Sequence, residues 1–303
     1  MFEVRNDLIE KLREAHEADF PGMIPIDNIS MCNLVCSMCN RDTMKRKPGV
    51  MERSLFEKII DEVATERPDT KLWMNFFGEP TLLKDMPDRI SYAIGKGCTN
   101  VSINSNGNLL TPELSERYIK SGLVYAYVGI DAFTPETYAK LRVKGDLRRV
   151  VDNVLAYRDL LEKHGNGEQR LFVQFVVMDE NAHELDRFLE FWNSHGITVK
   201  TRPKVTWINT IEPSTAGLPK EAERFPCPWL IETLSIMHDG RVALCALDSD
   251  GVLVLGDINS ESIKDVWNGK HRELRERHLQ NRNLPKVCTT CPDWSGKLAV
   301  YND

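Results

Sequence analysis

Residues 24–40 read IPIDNISMCNLVCSMCN, an apolar, β-favouring run through Ile29 that opens into a loop carrying Cys32, Cys36 and Cys39. A short apolar run followed by turn residues predicts a buried strand, so the three thiols stand on the loop at its C-terminal end. Outward from it the strand pattern recurs at Lys71–Phe76, Thr99–Asn104, Leu123–Ile130, Leu171–Met178 and Ile197–Trp207, with helical periodicity between. Alternating strands and helices predict a parallel sheet with right-handed crossovers, and six units are two short of a closed barrel. The expected fold is therefore α/β, a partial (β/α)6 barrel whose function lies where strand C-termini meet their loops. Ser54 with Glu57 predicts a capping box, while Thr111-Pro112-Glu113 and Thr134-Pro135-Glu136 each place a cap residue before a first-turn proline. Helices are expected at Asp146–His164 and Asn181–Ser194.

The chain has 303 residues, enough by area scaling to bury roughly three quarters of its extended surface. With 42% hydrophobic and 28% charged residues it is neither disordered nor of low complexity. A formal charge of −6 offers no general attraction to phosphate backbones, and the one compact basic run, Lys45-Arg46-Lys47, reads as a solvated loop, so no nucleic-acid partner is expected. Nor is a membrane partner, because no apolar run is long enough to span one. Residues 1–23 read as a charged helical extension with Leu8, Ile9 and Leu12 on one side, lacking the apolar centre of an export signal. A cytoplasmic location is expected, where thiols stay reduced, and clustered cysteines then read as metal ligands.

After Trp207 the alternation stops. Residues 24–207 form the expected core, 208–224 a linker rich in Pro, Ser, Thr and Gly, and 225–303 a small α+β unit. There Asp239-Gly240 predicts a hairpin between Leu234–Met237 and Arg241–Leu244, with helices at Ser260–Asn268 and His271–His278.

Seven of the eight cysteines fall into two groups. Three thiolates at Cys32, Cys36 and Cys39 would hold a cuboidal iron–sulfur cluster with one iron unligated, the counterpart of an open catalytic metal site. A zinc knuckle would need a fourth ligand, and Asn40, Arg41 and Asp42 supply neither Cys nor His. Cys227, Cys245, Cys288 and Cys291 could fully ligate a second cluster, or a structural zinc. Cys98 is left over and reads as a small buried hydrophobe.

At these residues the sequence resembles the radical S-adenosylmethionine (SAM) superfamily, whose signature is this cysteine spacing after the first strand of a partial (β/α)6 barrel. The resemblance covers about residues 24–207. It implies that Gly78 and Glu79, in Phe77-Gly78-Glu79-Pro80, hold the SAM amino group. Ser105 and Asn106 would contact its carboxylate or ribose, Asp131 the ribose, Arg142 the carboxylate, and Val177 and Met178 would flank adenine. The C-terminal cysteines and Cys227-Pro-Trp229 resemble the shortened "twitch" form of the SPASM auxiliary-cluster extension. The implied cofactors are SAM and two 4Fe–4S clusters, with a flavodoxin- or ferredoxin-type reductant.

The resemblance is nearest to dehydrogenases of aminocyclitol and aminoglycoside pathways. It implies that a 5′-deoxyadenosyl radical takes a C–H hydrogen from a small polar substrate, that a base removes the hydroxyl proton, and that the auxiliary cluster accepts the second electron. Arg202 and Lys204, on one side of the last strand by the two-residue period, are candidates to take that proton or bind an anion. Asp179, Glu180 and Glu184 could meet the ammonium groups of an amino sugar, with His183 among them. Three alternatives stay open. An epimerase would need a hydrogen donor, such as Tyr125 or Tyr127. A peptide maturase often carries a leader-recognition segment and a seven-cysteine extension, neither of which is read here. A non-enzymatic electron carrier would need no open three-cysteine site.

Overall fold

The computed structural model describes residues 2–216 and 226–295. The strand runs are buried on both faces because helices cover one side and the barrel interior the other: Val101, Ser102, Ile103 and Ser105 are all buried. Strands β1 (Met23–Pro25), β2 (Lys71–Trp73), β3 (Val101–Ser105), β4 (Tyr125–Gly129), β5 (Arg170–Val177) and β6 (Thr198–Pro203) lie side by side in chain order, every pair parallel. Helices α2 (Arg53–Glu66), α3 (Met86–Gly95), α4 (Pro112–Lys120), α5 (Pro135–Leu141), α6 (Leu147–His164) and α7 (Leu185–Ser194) make the crossovers. This is the expected open α/β barrel, its core built from residues such as Phe56, Ile90, Val128, Phe175 and Trp192.

Local signals held where a side chain could reach a helix N-terminus. Thr111 accepts from the Leu114 amide, Thr134 from that of Thr137 and Asp146 from that of Arg149. Ser54 does not cap. Helix α2 starts earlier, at Arg53, and Glu57 instead pairs with Arg53 one turn back at 2.7 Å. The helix expected from Asn181 is split into a tight turn, Ala182–Glu184, and α7. The outer strands are shorter than their apolar runs. Strand β6 stops at Pro203, and Trp207, Ile208 and Asn209 then take positive φ values of 52°, 55° and 67°, a left-handed run that turns the chain away from the sheet.

Beyond the barrel, β7 (Ser235–Ile236), β8 (Arg241–Ala243) and β9 (Val254–Asp257) form a small antiparallel sheet. The expected hairpin is β7–β8, with Gly240 at φ 93° in its turn. Helices α8 (Ile263–Asn268), α9 (Lys270–Leu279) and α10 (Lys286–Thr290) follow. The small unit is stitched to the edge of the barrel: Met23 and Ile26 bridge Thr233 and Ile236 in parallel, with the Leu234 amide donating to Met23 O at 3.0 Å and the Asp27 amide to Ile236 O at 2.9 Å. Helix α1 (Phe2–Glu17) packs behind this seam, its Leu8 and Leu12 against Ile231. Arg275 lies 3.5 Å from the Trp267 ring centroid and hydrogen-bonds His271 Nδ1 at 3.0 Å. Residues 217–224 of the expected linker and 296–303 of the expected C-terminal unit lie outside the described residues. No described helix is long and apolar enough to cross a membrane.

Candidate active site

The first loop is pinned before it reaches any ligand. Val35 and Cys36 pair antiparallel with Val143 and Arg142, and the Ser37 amide donates to Leu141 O at 2.9 Å. The far end of the loop is tied to the small unit. Asn40 donates to Ser249 Oγ at 2.7 Å, and Arg46 reaches buried Asp27 at 2.6 Å and His238 at 2.9 Å. Cys32, Cys36 and Cys39 thereby line one cavity of about 180 Å³ at the C-terminal ends of the strands.

Gly78 sits where only glycine fits: a Cβ there would lie 1.9 Å from Ile29 O. The Glu79 amide donates to Met31 O at 2.9 Å, which locks the second-strand loop against the first. Burial raises the Glu79 carboxyl above its ordinary value despite hydrogen bonds from Thr81, Ser105 Oγ (2.8 Å) and the Asn106 amide (2.7 Å). Its Oε1 receives three of these contacts and Oε2 one, which leaves Oε2 able to accept an ammonium N–H. Asn106 also donates to Asn33 Oδ1 at 2.8 Å, beside Cys32.

The other sequence-selected residues divide. Arg142 lines the cavity with Gly129 and pairs with fully buried Asp131, whose second oxygen accepts from the Val176 amide at 2.7 Å. Asp131 itself does not line the cavity, and its φ of 61° turns the chain out of β4. Val176, rather than Val177 or Met178, faces inward; Met178 is buried against Met38 and Leu141. Arg202 lines the cavity, whereas Lys204, one residue past β6, does not. Glu184 is committed elsewhere, accepting from the amides and hydroxyls of Thr134 and its neighbours at the start of α5. Asp179 likewise accepts from Thr215 and Ala216. Neither carboxylate lines the cavity.

Cys227, Cys245, Cys288 and Cys291 line a second cavity with apolar walls. Trp229 and Leu247 line both cavities, so a single layer of side chains separates the two cavities. Sequence reasoning missed how this layer is held. Buried Asp293 accepts from the Thr206 amide at 2.6 Å, the Ile208 amide at 2.9 Å and Thr206 Oγ1 at 3.0 Å, steadying the left-handed run after β6, while Trp229 Nε1 donates to Asp293 O. An acid just after Cys291-Pro292 was the available signal. Cys98 is buried in the barrel core, and burial pushes its thiol up to about 11.

The thiols fit iron. Burial raises Cys32 and Cys39, takes Cys36 up to about 12 and lifts Cys245 and Cys291 further. Such groups stay neutral at pH 7 until a coordinated metal makes the thiolate favourable. Among the described residues no three Cys, His, Asp or Glu side chains converge closely enough for one metal ion. The thiols surround cavities instead, as a cuboidal cluster requires, since each thiolate binds a different iron.

A partial parallel barrel with three thiols on its first loop, a glycine–glutamate turn on its second and a four-thiol unit against its edge defines a class of iron–sulfur enzymes that use SAM. The radical SAM superfamily pattern matches residues 29–191, more than half the chain, and this chain belongs to that superfamily. An iron–sulfur cluster-binding domain of the SPASM type matches residues 227–292. The mycofactocin maturase MftC of Mycobacterium ulcerans is 28% identical over 211 residues, 69% of this chain and 52% of the relative. The chain thus spans about half the length of the curated relatives it matches first. Among solved structures, SuiB of Streptococcus suis bound to precursor peptide SuiA aligns with a TM-score of 0.72 at 12% identity, over 97% of this chain and 76% of the other. BtrN in complex with AdoMet and 2-DOIA aligns with a TM-score of 0.62 at 17% identity, over 89% and 92%. At these identities the structural matches establish the fold.

Proposed function

We propose that this chain is a radical SAM oxidoreductase that carries out a two-electron oxidation of a polar substrate held between its two thiol sites. The observation that supports this reading is the shared Trp229–Leu247 layer, across which an electron acceptor held by the four-thiol site would be adjacent to a substrate in the larger cavity. When bound, the clusters and SAM supply a 5′-deoxyadenosyl radical that takes a C–H hydrogen atom and an auxiliary 4Fe–4S centre that takes the remaining electron. The protein does the rest. Glu79 Oε2 would accept from the SAM ammonium, and Arg142, steadied by Asp131, would bind its carboxylate. Trp73, Phe76 and Trp207 keep water from the reacting carbon. The hydroxyl or amine proton leaves to solvent or to a base at the cavity mouth. A flavodoxin- or ferredoxin-type protein would supply the starting electron.

For a small polar substrate such as an aminocyclitol or amino sugar, the support is the polar lining of Asn75, Asn104 and Gln174, together with the fold shared with BtrN over nearly its whole length. A peptide substrate is favoured by the curated relatives the chain matches first, which are named as mycofactocin maturases, and by the higher-scoring alignment with peptide-bound SuiB, although other curated relatives are named as probable GTP 3',8-cyclases. In sequence similarity the peptide reading is the better supported. Anaerobic reconstitution with SAM and a reductant, against panels of amino sugars and short peptides, decides between them. Deuterium from a labelled substrate should enter 5′-deoxyadenosine, and the product should be lighter by two hydrogens. With unlabelled substrate, an unchanged product mass in ordinary water and one deuterium gained in heavy water would instead identify an epimerase.

A further inference from the structure

Among the described residues one cation of the cavity forms no ion pair, and the carboxylate that acts on it, Asp131, is already paired with Arg142. Arg202 stands opposite Val176 in the β5–β6 ladder and lines the cavity, yet it forms no ion pair among the described residues, and its buried Nε has no hydrogen-bond partner. The contrast with Arg142 is direct, because Arg142 has Asp131 at 2.5 Å. Two further buried atoms on lining residues are also unpartnered, Trp73 Nε1, a donor, and Asn104 Oδ1, an acceptor. Among the described residues the one carboxylate in the lining is Glu79, which binds Thr81, Ser105 and Asn106 and, on the reading above, keeps its remaining acceptor for the SAM ammonium, while Asp179 and Glu184 are committed outside the cavity. An unpaired buried guanidinium is costly unless an oxyanion meets it, and a guanidinium matches carboxylate and phosphate geometry with paired N–H donors.

We propose that Arg202 anchors an oxyanionic group of the substrate, a carboxylate or a phosphate, so that the enzyme selects an anionic substrate over an ammonium-bearing one. This rests on the radical oxidation reading for the position of the substrate. It replaces the expectation that acidic loop residues would receive amino-sugar ammonium groups, and it applies equally to an acidic group on a sugar or on a peptide.

The test is binding of a matched probe series, glucuronate, glucose 6-phosphate, glucose and glucosamine, to cluster-reconstituted enzyme saturated with SAM, measured by anaerobic calorimetry. At least one of the two oxyanionic probes should bind about tenfold more tightly than glucose, with glucosamine weakest. Arg202→Gln should erase that preference and Arg202→Lys should keep part of it, while cluster iron and SAM affinity stay at the parent values. Which oxyanion binds better separates carboxylate from phosphate. The proposal is overturned if neither oxyanion outbinds glucose, if glucosamine binds as tightly as they do, or if Arg202→Gln lowers SAM affinity or iron content, which would make Arg202 a cofactor ligand. Formation of 5′-deoxyadenosine in the same preparation is scored separately, so failure of the radical reading is distinguishable from failure of the anion preference.

Discussion

The two thiol groups differ in count, setting and what holds them. Cys32, Cys36 and Cys39 come from one short loop and line a larger cavity of mixed polar and apolar lining, while Cys227, Cys245, Cys288 and Cys291 come from three separate stretches of chain and line an almost wholly apolar one. A three-thiolate site leaves a coordination position for chemistry, whereas a four-thiolate site fills every iron and can only pass electrons or hold the fold together. The barrel rim thus suits chemistry, and the small unit suits electron transfer or support of the fold.

The sharpest way to break the comparison is Cys36→Ala. Loss of one of three ligands should abolish 5′-deoxyadenosine formation, measured by chromatography after anaerobic incubation with SAM and dithionite. Survival of activity would remove the basis of the assignment. Cys245→Ala should produce the complementary phenotype, with about four irons lost per chain, SAM still cleaved and no net oxidation seen by product mass. If Cys245→Ala still yields oxidised product, the four-thiol site is structural.

Asp293→Asn tests the layer between them. Three contacts to the left-handed run lose a charged acceptor, and the variant should be destabilised by about 1–3 kcal/mol in denaturant unfolding. A further effect follows from pH. His271 is fully buried, and burial together with Arg275 holds it down to about 3; burial also lowers His16. Below pH 6.5 the unfolded chain takes protons that the native state refuses, so stability falls as pH drops from 6.5 toward 3, by about 1.4 kcal/mol per pH unit for His271, with a contribution of the same sign from His16. Both residues sit behind the four-thiol unit, so hydrogen exchange at mildly acidic pH should rise there before it rises at the three-thiol loop.

Much of the barrel was legible because its signals are local: a strand run, a cap residue, a proline at the first helical position. The cysteine spacing and Gly78-Glu79 were legible for the same reason, since each motif occupies a few consecutive residues. What escaped depends on tertiary approach. Nothing in the sequence distinguishes the inward Val176 from its neighbour Val177 except the final register of β5, and nothing places Arg202 in the cavity but not Lys204 except the end of β6 at Pro203. Glu184 and Asp179 read as free loop acids because the amides they bind are up to about fifty positions away in the chain.

The strand borrowed at Thr233 and Ile236 has a further consequence. An arc of six strands has two raw flanks, and here the first is sealed by backbone from the chain's far end. Cutting the protein after the arc would strip that seal and bare the main-chain donors and acceptors of Met23–Ile26, an invitation to self-association. The reacting half and the receiving half are consequently one folding unit, and neither should be harvested intact by limited proteolysis.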